Sequence, residues 1–358
     1  MDVLILGAGA IGTLLAFRLT LAGHRVTAVG RASFVRAVQS RGLIIESAGR
    51  AGCVDRLIAV QDVRSIRDAG YKSHFDLLLI TTRAFDTAIA AVQAQPFVQD
   101  GTQVMLIQDG VGGLEIARGI LGEPALLAGV VTIPVETLRP GVIRLVDRRG
   151  GIGLAAADGQ YAKNLRPALG ADSLVNVFTQ AGFHTRMVDD VRVLQWSRLL
   201  IAMLANAIPA ILDWPLEQIY KNPRLYELEL AALREAMQVV RRLGIRPVAL
   251  PGYPVPLLVW WLTRFPATMT QEVFVRTFVQ AHAGRSPSLR VELARRRKSE
   301  IEFLNGAIVR EGKRTGVPTP VNQALTQIIQ GIVQGEISWQ EYRGQTDRLI
   351  ERVRLENK

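Results

Sequence analysis

The chain has 358 residues, 49% of them hydrophobic, which excludes a disordered polymer and supplies enough apolar surface for two domains. Its 43 Lys and Arg against 32 Asp and Glu leave a net charge of +11, so an anionic partner is expected: nucleic acid, a membrane surface or a polyanionic small molecule. A single cysteine, Cys53, excludes an intrachain disulfide and points to a reducing, cytoplasmic compartment.

In chain order, the apolar N-terminus lacks a basic leader and a small-residue cleavage site, and reads as folded structure. The first half then alternates short aliphatic runs with amphipathic helical stretches: "VLILGA" from Val3, "RVTAVG" from Arg25, "RLIAV" from Arg56, "DLLLITT" from Asp76 and "QVMLIQ" from Gln103. That alternation predicts a parallel sheet with crossover helices. "GVIRLV" and "GIGLAA", flanking Asp147 to Gly151, read as a hairpin-like pair. After about Val188 the runs lengthen and become helical. The division predicts an α/β N-terminal Rossmann-type dinucleotide-binding domain over 1–187 and an all-α C-terminal domain over 188–358.

Helices are expected over 191–212, 223–243 and 286–314, followed by two more at the C-terminus. Prolines at 247, 251, 254, 256, 266 and 287 make the stretch from 247 to 266 a lid or an irregular excursion. The run "VPLLVWWL" falls short of the roughly 20 residues a membrane span needs, so no membrane is expected. Its tryptophans suit a lid or a homodimer interface. "RRRK", Arg295 to Lys298, reads as a solvated helix face. With no zinc-ligand, recognition-helix or aromatic-interleaved basic pattern, neither a metal nor a specific nucleic-acid partner is expected.

"GAGAIG", Gly7 to Gly12, follows a strand and opens a helix, as a dinucleotide fingerprint requires. Gly7 permits the tight turn, Gly9 lets backbone approach a pyrophosphate, and Gly12 lets helix and strand pack closely. Ala10 and Ile11 begin the helix whose N-terminus faces the phosphates. Where an NAD-binding protein ends its second strand with an acid, this chain has "VGRAS". Arg31 can pair with a 2′-phosphate and Ser33 can donate to it, so NADP(H) is the expected cofactor. Arg83, in "TTRAFD", is a second basic candidate on the same carboxyl edge, for that phosphate or for the adenine face.

The helical half carries its own candidates. "VLQWSRLLIAMLANAIPAIL", Val193 to Leu212, is apolar on nearly every side yet keeps Arg198 and Asn206. A buried guanidinium is costly without a partner or a function. Further on, Ser288, Glu292, Arg296 and Glu300 are spaced by four, which places them along one band of a continuous helix. Periodicity alone reads that band as a salt-bridged exposed face.

The fragments "ILGAGAIG", "VGRAS", "LLLITTRAFD", "IQDGVGG", "WSRLLIAMLANAIPA" and "SLRVELARRRKSEIEFLNGAIVREGKRTGVPTPVN" together resemble the ketopantoate reductases (2-dehydropantoate 2-reductases) in order and spacing. The resemblance covers almost the whole chain. It implies NADPH-dependent reduction of a 2-oxo acid in the cleft between the two domains. By the same resemblance Arg31 and Arg83 match basic positions for the NADP phosphate, Ser288 the serine that binds the substrate carboxylate, and Glu300 a glutamate that contacts substrate. Asn206 matches the second of two asparagines on the catalytic helix.

Three positions depart from the pattern. Arg198 replaces the lysine general acid, Ala202 the first asparagine, and Asp109 an asparagine that lies near nicotinamide and substrate. Arginine is a poor proton donor but can stabilise an oxyanion electrostatically. The alternative is an NADP(H)-binding protein that has lost turnover and acts as a sensor or assembly partner.

Overall fold

The computed structural model describes residues 1–47, 49–68, 74–122, 125–147, 149–157, 174–279, 286–295 and 298–356. The chain divides into two compact units. The first comprises Met1–Gln108, Gly112–Gln195 and Ala249–Tyr253; the second comprises Asp109–Val111, Trp196–Val248 and Pro254–Lys358.

The first unit is built on an eight-stranded sheet. Its strands are β1 (Asp2–Leu6), β2 (Arg25–Val29), β5 (Ile58–Val60), β6 (Leu77–Ile80), β7 (Gln103–Ile107), β8 (Ala125–Val131), β11 (Ile152–Ala156) and β12 (Thr185–Met187), in the order β12-β11-β8-β7-β6-β1-β2-β5. The run from β5 to β8 is parallel throughout, and β11 pairs antiparallel with β8. Apolar residues on successive positions explain the burial of both faces. Val3, Ile5, Leu77 and Leu79 join one core, and Leu4, Leu6, Leu78 and Ile80 join the other. The crossover helices are α1 (Ala10–Leu21), α2 (Ala32–Arg41), α3 (Arg64–Asp68), α4 (Thr87–Ala94), α5 (Gly113–Leu121) and α6 (Leu174–Gln180).

The expected hairpin is not formed. "GVIRLV" supplies β10 (Val142–Leu145), which joins β3 (Leu43–Ser47), β4 (Arg50–Val54) and β9 (Val135–Arg139) in a separate four-stranded sheet, order β4-β3-β10-β9. "GIGLAA" supplies β11 of the large sheet. The reason is long-range pairing: β10 aligns in parallel with β3, from Val142 opposite Ile44 to Arg144 opposite Glu46, and β11 aligns with β8.

The second unit is helical among its described residues: α7 (Val191–Ala202, shared with the end of the first unit), α8 (Ala207–Leu212), α9 (Leu216–Lys221), α10 (Pro223–Arg242), α11 (Val255–Arg264), α12 (Ala267–Phe274), α13 (Ser288–Ala294), α14 (Asn305–Thr315), α15 (Pro320–Gln334) and α16 (Thr346–Glu356). Asn222 starts α10 by accepting from Arg224 N and Leu225 N, with Pro223 in the first turn. Tyr220, Tyr226 and Phe274 form an aromatic core beside it.

Two expected helices are interrupted. The stretch 191–212 is long and apolar enough to cross a membrane by length and composition, and 89% of that window is buried inside the protein. It breaks between Ala202 and Ala207. Pro209 explains part of the break: inside a continuous helix it would remove one backbone bond and clash with the Ala205 carbonyl, whereas in the first turn of α8 its missing N–H costs nothing. The stretch 286–314 separates into α13, a 3₁₀ turn at Glu300–Phe303 and α14. Arg296 and part of "RRRK" lie outside the described residues. The stretch from 247 forms a turn closed by Leu250 N to Tyr253 O at 2.9 Å, and then α11.

Candidate functional site

Order reverses at β1: the chain runs outward to β2 and β5 on one side, then to β6, β7 and β8 on the other. Such a switch point opens a crevice at the carboxyl ends of its strands. The fingerprint glycines lie there, and each has its own reason. Gly7 holds φ +110°, and a Cβ on it would meet Thr82 N at 2.8 Å; the Thr81 hydroxyl donates to Gly7 O at 2.6 Å. A Cβ on Gly12 would stand 1.9 Å from Gly7 O, so only glycine lets α1 pack this close to β1. A Cβ on Gly9 would meet nothing within 4 Å, which leaves its backbone open to a ligand. Ala10 and Ile11 follow it in the first turn of α1. This cradle fits a dinucleotide pyrophosphate.

Arg31 follows β2 at the N-cap of α2, and Arg83 follows β6 just before the 3₁₀ turn Ala84–Asp86. Both are exposed at the carboxyl edge of the sheet, and Ser33 is exposed in the first turn of α2. Three donors of the right chemistry for a 2′-phosphate therefore lie after the strands flanking the glycine turn.

The helical unit carries polar pairs of its own. The Arg198 guanidinium donates from Nε to Asp109 Oδ1 at 2.8 Å. The arginine side chain is 16% exposed and the aspartate 47%. Asp109 reaches it because 109–111 is held on this unit: Val111 N donates to Phe303 O at 2.9 Å, and Arg310 donates to Val111 O at 3.4 Å. Gly110 makes that approach possible, since a Cβ there would lie 2.5 Å from Phe303 O. Both members of this ion pair stand where the family resemblance expects other residues, lysine and asparagine.

Asn206 is buried in the break between α7 and α8. Its Nδ2 donates to Ala202 O at 3.0 Å and to Ser288 Oγ at 3.2 Å, and its Oδ1 accepts from Leu289 N at 3.1 Å. The carboxamide thus ties the break to the start of α13 and orients the Ser288 hydroxyl. Glu300 is buried as well, but it reaches the α13 residues by a bridge and not by helical periodicity. Glu292 Oε2 accepts from Glu300 N at 3.0 Å and from Ser299 Oγ at 3.2 Å.

Further buried polar groups carry no local sequence signal. Glu235 accepts from Val321 N at 2.8 Å and Asn322 N at 3.0 Å, capping α15, and Asn322 accepts from Asn305 Nδ2 at 2.9 Å. Burial raises the pKa of Glu235, against the backbone donors that lower it. Asn305 of "FLNG" and Asn322 of "GVPTPVN" are thus buried partners. Glu229 is also buried, accepting from Ala205 N at 2.8 Å. No sequence signal marked it, because an acid on an amphipathic helix reads as solvent-facing.

A glycine cradle at the switch point of a parallel sheet, in one chain with a helical unit that carries the pairs Arg198–Asp109 and Asn206–Ser288, defines a Rossmann-type dinucleotide-fold protein with an added helical unit. The chain belongs to the ketopantoate reductase family: the profile described as ketopantoate reductase PanE/ApbA matches residues 3–159, and its C-terminal counterpart matches residues 190–333. The 2-dehydropantoate 2-reductase of Aquifex aeolicus is 26% identical over 92% of this chain and 96% of that protein. The enzyme of the same name from Pyrococcus horikoshii is 27% identical with the same coverage. Among solved structures, a PanE/ApbA family ketopantoate reductase from Ralstonia eutropha matches with a TM-score of 0.74 and 26% identity over 94% of this chain and 99% of that one. D-mandelate dehydrogenase, solved with NADH and anilino(oxo)acetate, shares the fold with a TM-score of 0.72 at 20% identity, over 94% of this chain and 99% of that one.

Proposed function

We propose that the chain is an NADPH-dependent reductase of a 2-oxo acid, taking 2-dehydropantoate or a close relative to the 2-hydroxy acid. The observation that carries the reading is the Asn206–Ser288 pair, held on the same helical unit as the Arg198–Asp109 pair in a chain of this family. The glycine cradle would hold the pyrophosphate, and Arg31 and Arg83 would pair with the 2′-phosphate. When bound, the reduced nicotinamide supplies the hydride.

Ser288, oriented by Asn206, donates to the substrate carboxylate, and Glu300 contacts the remaining polar groups of the substrate. Arg198 would stabilise the negative charge that develops on the substrate's carbonyl oxygen during reduction. The guanidinium remains protonated, so the proton that completes the alcohol comes from water or another group. Asp109 fixes the plane of the guanidinium through Nε and offsets part of its charge, which favours a substrate less anionic than Arg198 alone would select. The net charge of +11 then serves an anionic cofactor and substrate rather than nucleic acid or a membrane, and the single cysteine suits the cytoplasm.

The test is oxidation of NADPH, followed by absorbance, with a panel of 2-oxo acids that includes 2-dehydropantoate. Turnover of at least one member supports the reading. Tight NADPH binding with no turnover on any of them would favour a sensor or assembly role instead.

A further inference from the structure

The break that holds Asn206 is also contacted from α10. Its neighbour Ala205 holds φ +57°, one of two left-handed non-glycine residues among those described. Side chains with a Cβ adopt that region at a cost, and it persists where the surroundings enforce it. In a continued helix the Ala205 N–H would donate to the carbonyl four residues back. Here it donates to Glu229 Oε1, 24 residues away on α10.

Glu229 is 4% exposed. Burial pushes its pKa up to about 7, while the Ala205 N–H and the nearby Tyr220 hydroxyl lower it. An acid in this position is an expensive choice for a helix face packed against apolar neighbours, where a leucine would serve packing better. Among the described residues, its side chain's hydrogen bond to backbone falls on the residue that precedes Asn206.

We propose that Glu229 is a positioning residue: by holding the Ala205 N–H in the left-handed turn, it sets the Asn206 carboxamide against Ser288 and Leu289. The inference rests on the reading of Asn206 and Ser288 as substrate groups. The order of dependence is Glu229 to Ala205 to Asn206 to Ser288, with each link a hydrogen bond or a peptide unit.

The experiment uses the full chain and the variants Glu229→Ala, Glu229→Gln and the pair Glu229→Ala with Ala205→Gly. Loss of one charge-assisted bond raises KM for the best 2-oxo acid by about tenfold or more in Glu229→Ala, with NADPH affinity unchanged. Glu229→Gln keeps a carbonyl for the same N–H and returns KM to within about threefold of the unmutated chain. Glycine adopts the left-handed turn without help, so adding Ala205→Gly to Glu229→Ala recovers most of the lost KM. Should Glu229→Ala fail to fold, Glu229→Leu fills the space with apolar atoms and is read the same way.

An unchanged KM in Glu229→Ala overturns the proposal, as does a loss that Ala205→Gly leaves unrescued. A crystal structure of the Glu229→Ala or Glu229→Leu variant supplies a reading independent of turnover. Ala205 leaving positive φ and loss of the Asn206 to Ser288 bond support the proposal, and an unaltered break refutes it. Absence of 2-oxo acid turnover in the unmutated chain would overturn the functional reading alone and leave this structural outcome intact.

Discussion

Replacing Glu229 with glutamine isolates the cost of its buried charge, since the amide is isosteric and keeps an acceptor for the Ala205 N–H. Burial raises the carboxyl from 4.5 to about 7 in the folded protein. The folded state therefore binds more protons than the unfolded state between those values. Stability from this group is fully present below the unfolded pKa and is lost as pH rises through the folded one. A shift of that size corresponds to about 3 kcal/mol at 1.36 kcal/mol per pKa unit. Glu229→Gln should thus gain stability relative to the unmutated chain by up to about 3 kcal/mol on going from pH 4 to pH 8, most of it between about pH 5 and 7. All five tryptophans, Trp196, Trp214, Trp260, Trp261 and Trp339, lie in the helical unit. Urea unfolding followed by tryptophan fluorescence at a series of pH values consequently reports the unit that contains Glu229. A difference between variant and parent that stays constant from pH 4 to pH 8 would refute the reasoning, because it would mean that Glu229 titrates alike in both states.

At the cofactor end, the unmutated chain should bind NADPH at least about tenfold more tightly than NADH, the ratio one charge-assisted phosphate contact supplies, and Arg31→Asp should narrow or reverse the gap in fluorescence titrations. Gly12→Ala places a methyl 1.9 Å from Gly7 O and should abolish NADPH binding by calorimetry while urea unfolding of the helical unit, read by its tryptophans, stays as before. Asp109→Asn removes a charge yet keeps an acceptor for Arg198 Nε. Because Asp109 is 47% exposed and the amide oxygen keeps the bond, it should change stability by no more than about 1 kcal/mol while lowering KM for 2-dehydropantoate several-fold in steady-state assays.

What the sequence makes legible is what neighbours in the chain decide. The turn from Gly7 to Gly12 needs only a strand before it and a helix after it, and Arg31 and Arg83 follow directly from strand ends. The elements that escape it depend on distant partners. β10 and β11 look like a hairpin because they are adjacent in sequence, yet β10 is claimed by β3. The break after Ala202 sits inside a run of good helix formers. Asn206 followed by Pro209 is a helix-start signal that local reading can use. The left-handed Ala205, by contrast, depends on a carboxylate on another helix. Arg198 could be singled out as a charge needing a partner, but its pairing with Asp109 spans 89 positions and no periodicity encodes it. The spacing of Ser288, Glu292 and Glu300 fits a single helix, yet Glu292 bridges two separate elements through the backbone of Glu300.

The most direct measurement is the comparison of Arg198→Met with the unmutated chain, by NADPH oxidation on the best 2-oxo acid and by NADPH titration. If Arg198 carries the developing oxyanion, the variant loses turnover by at least about a hundredfold, the usual effect of removing one such group, and keeps NADPH affinity within about twofold. Full turnover in Arg198→Met would contradict the assignment of this arginine to the reaction.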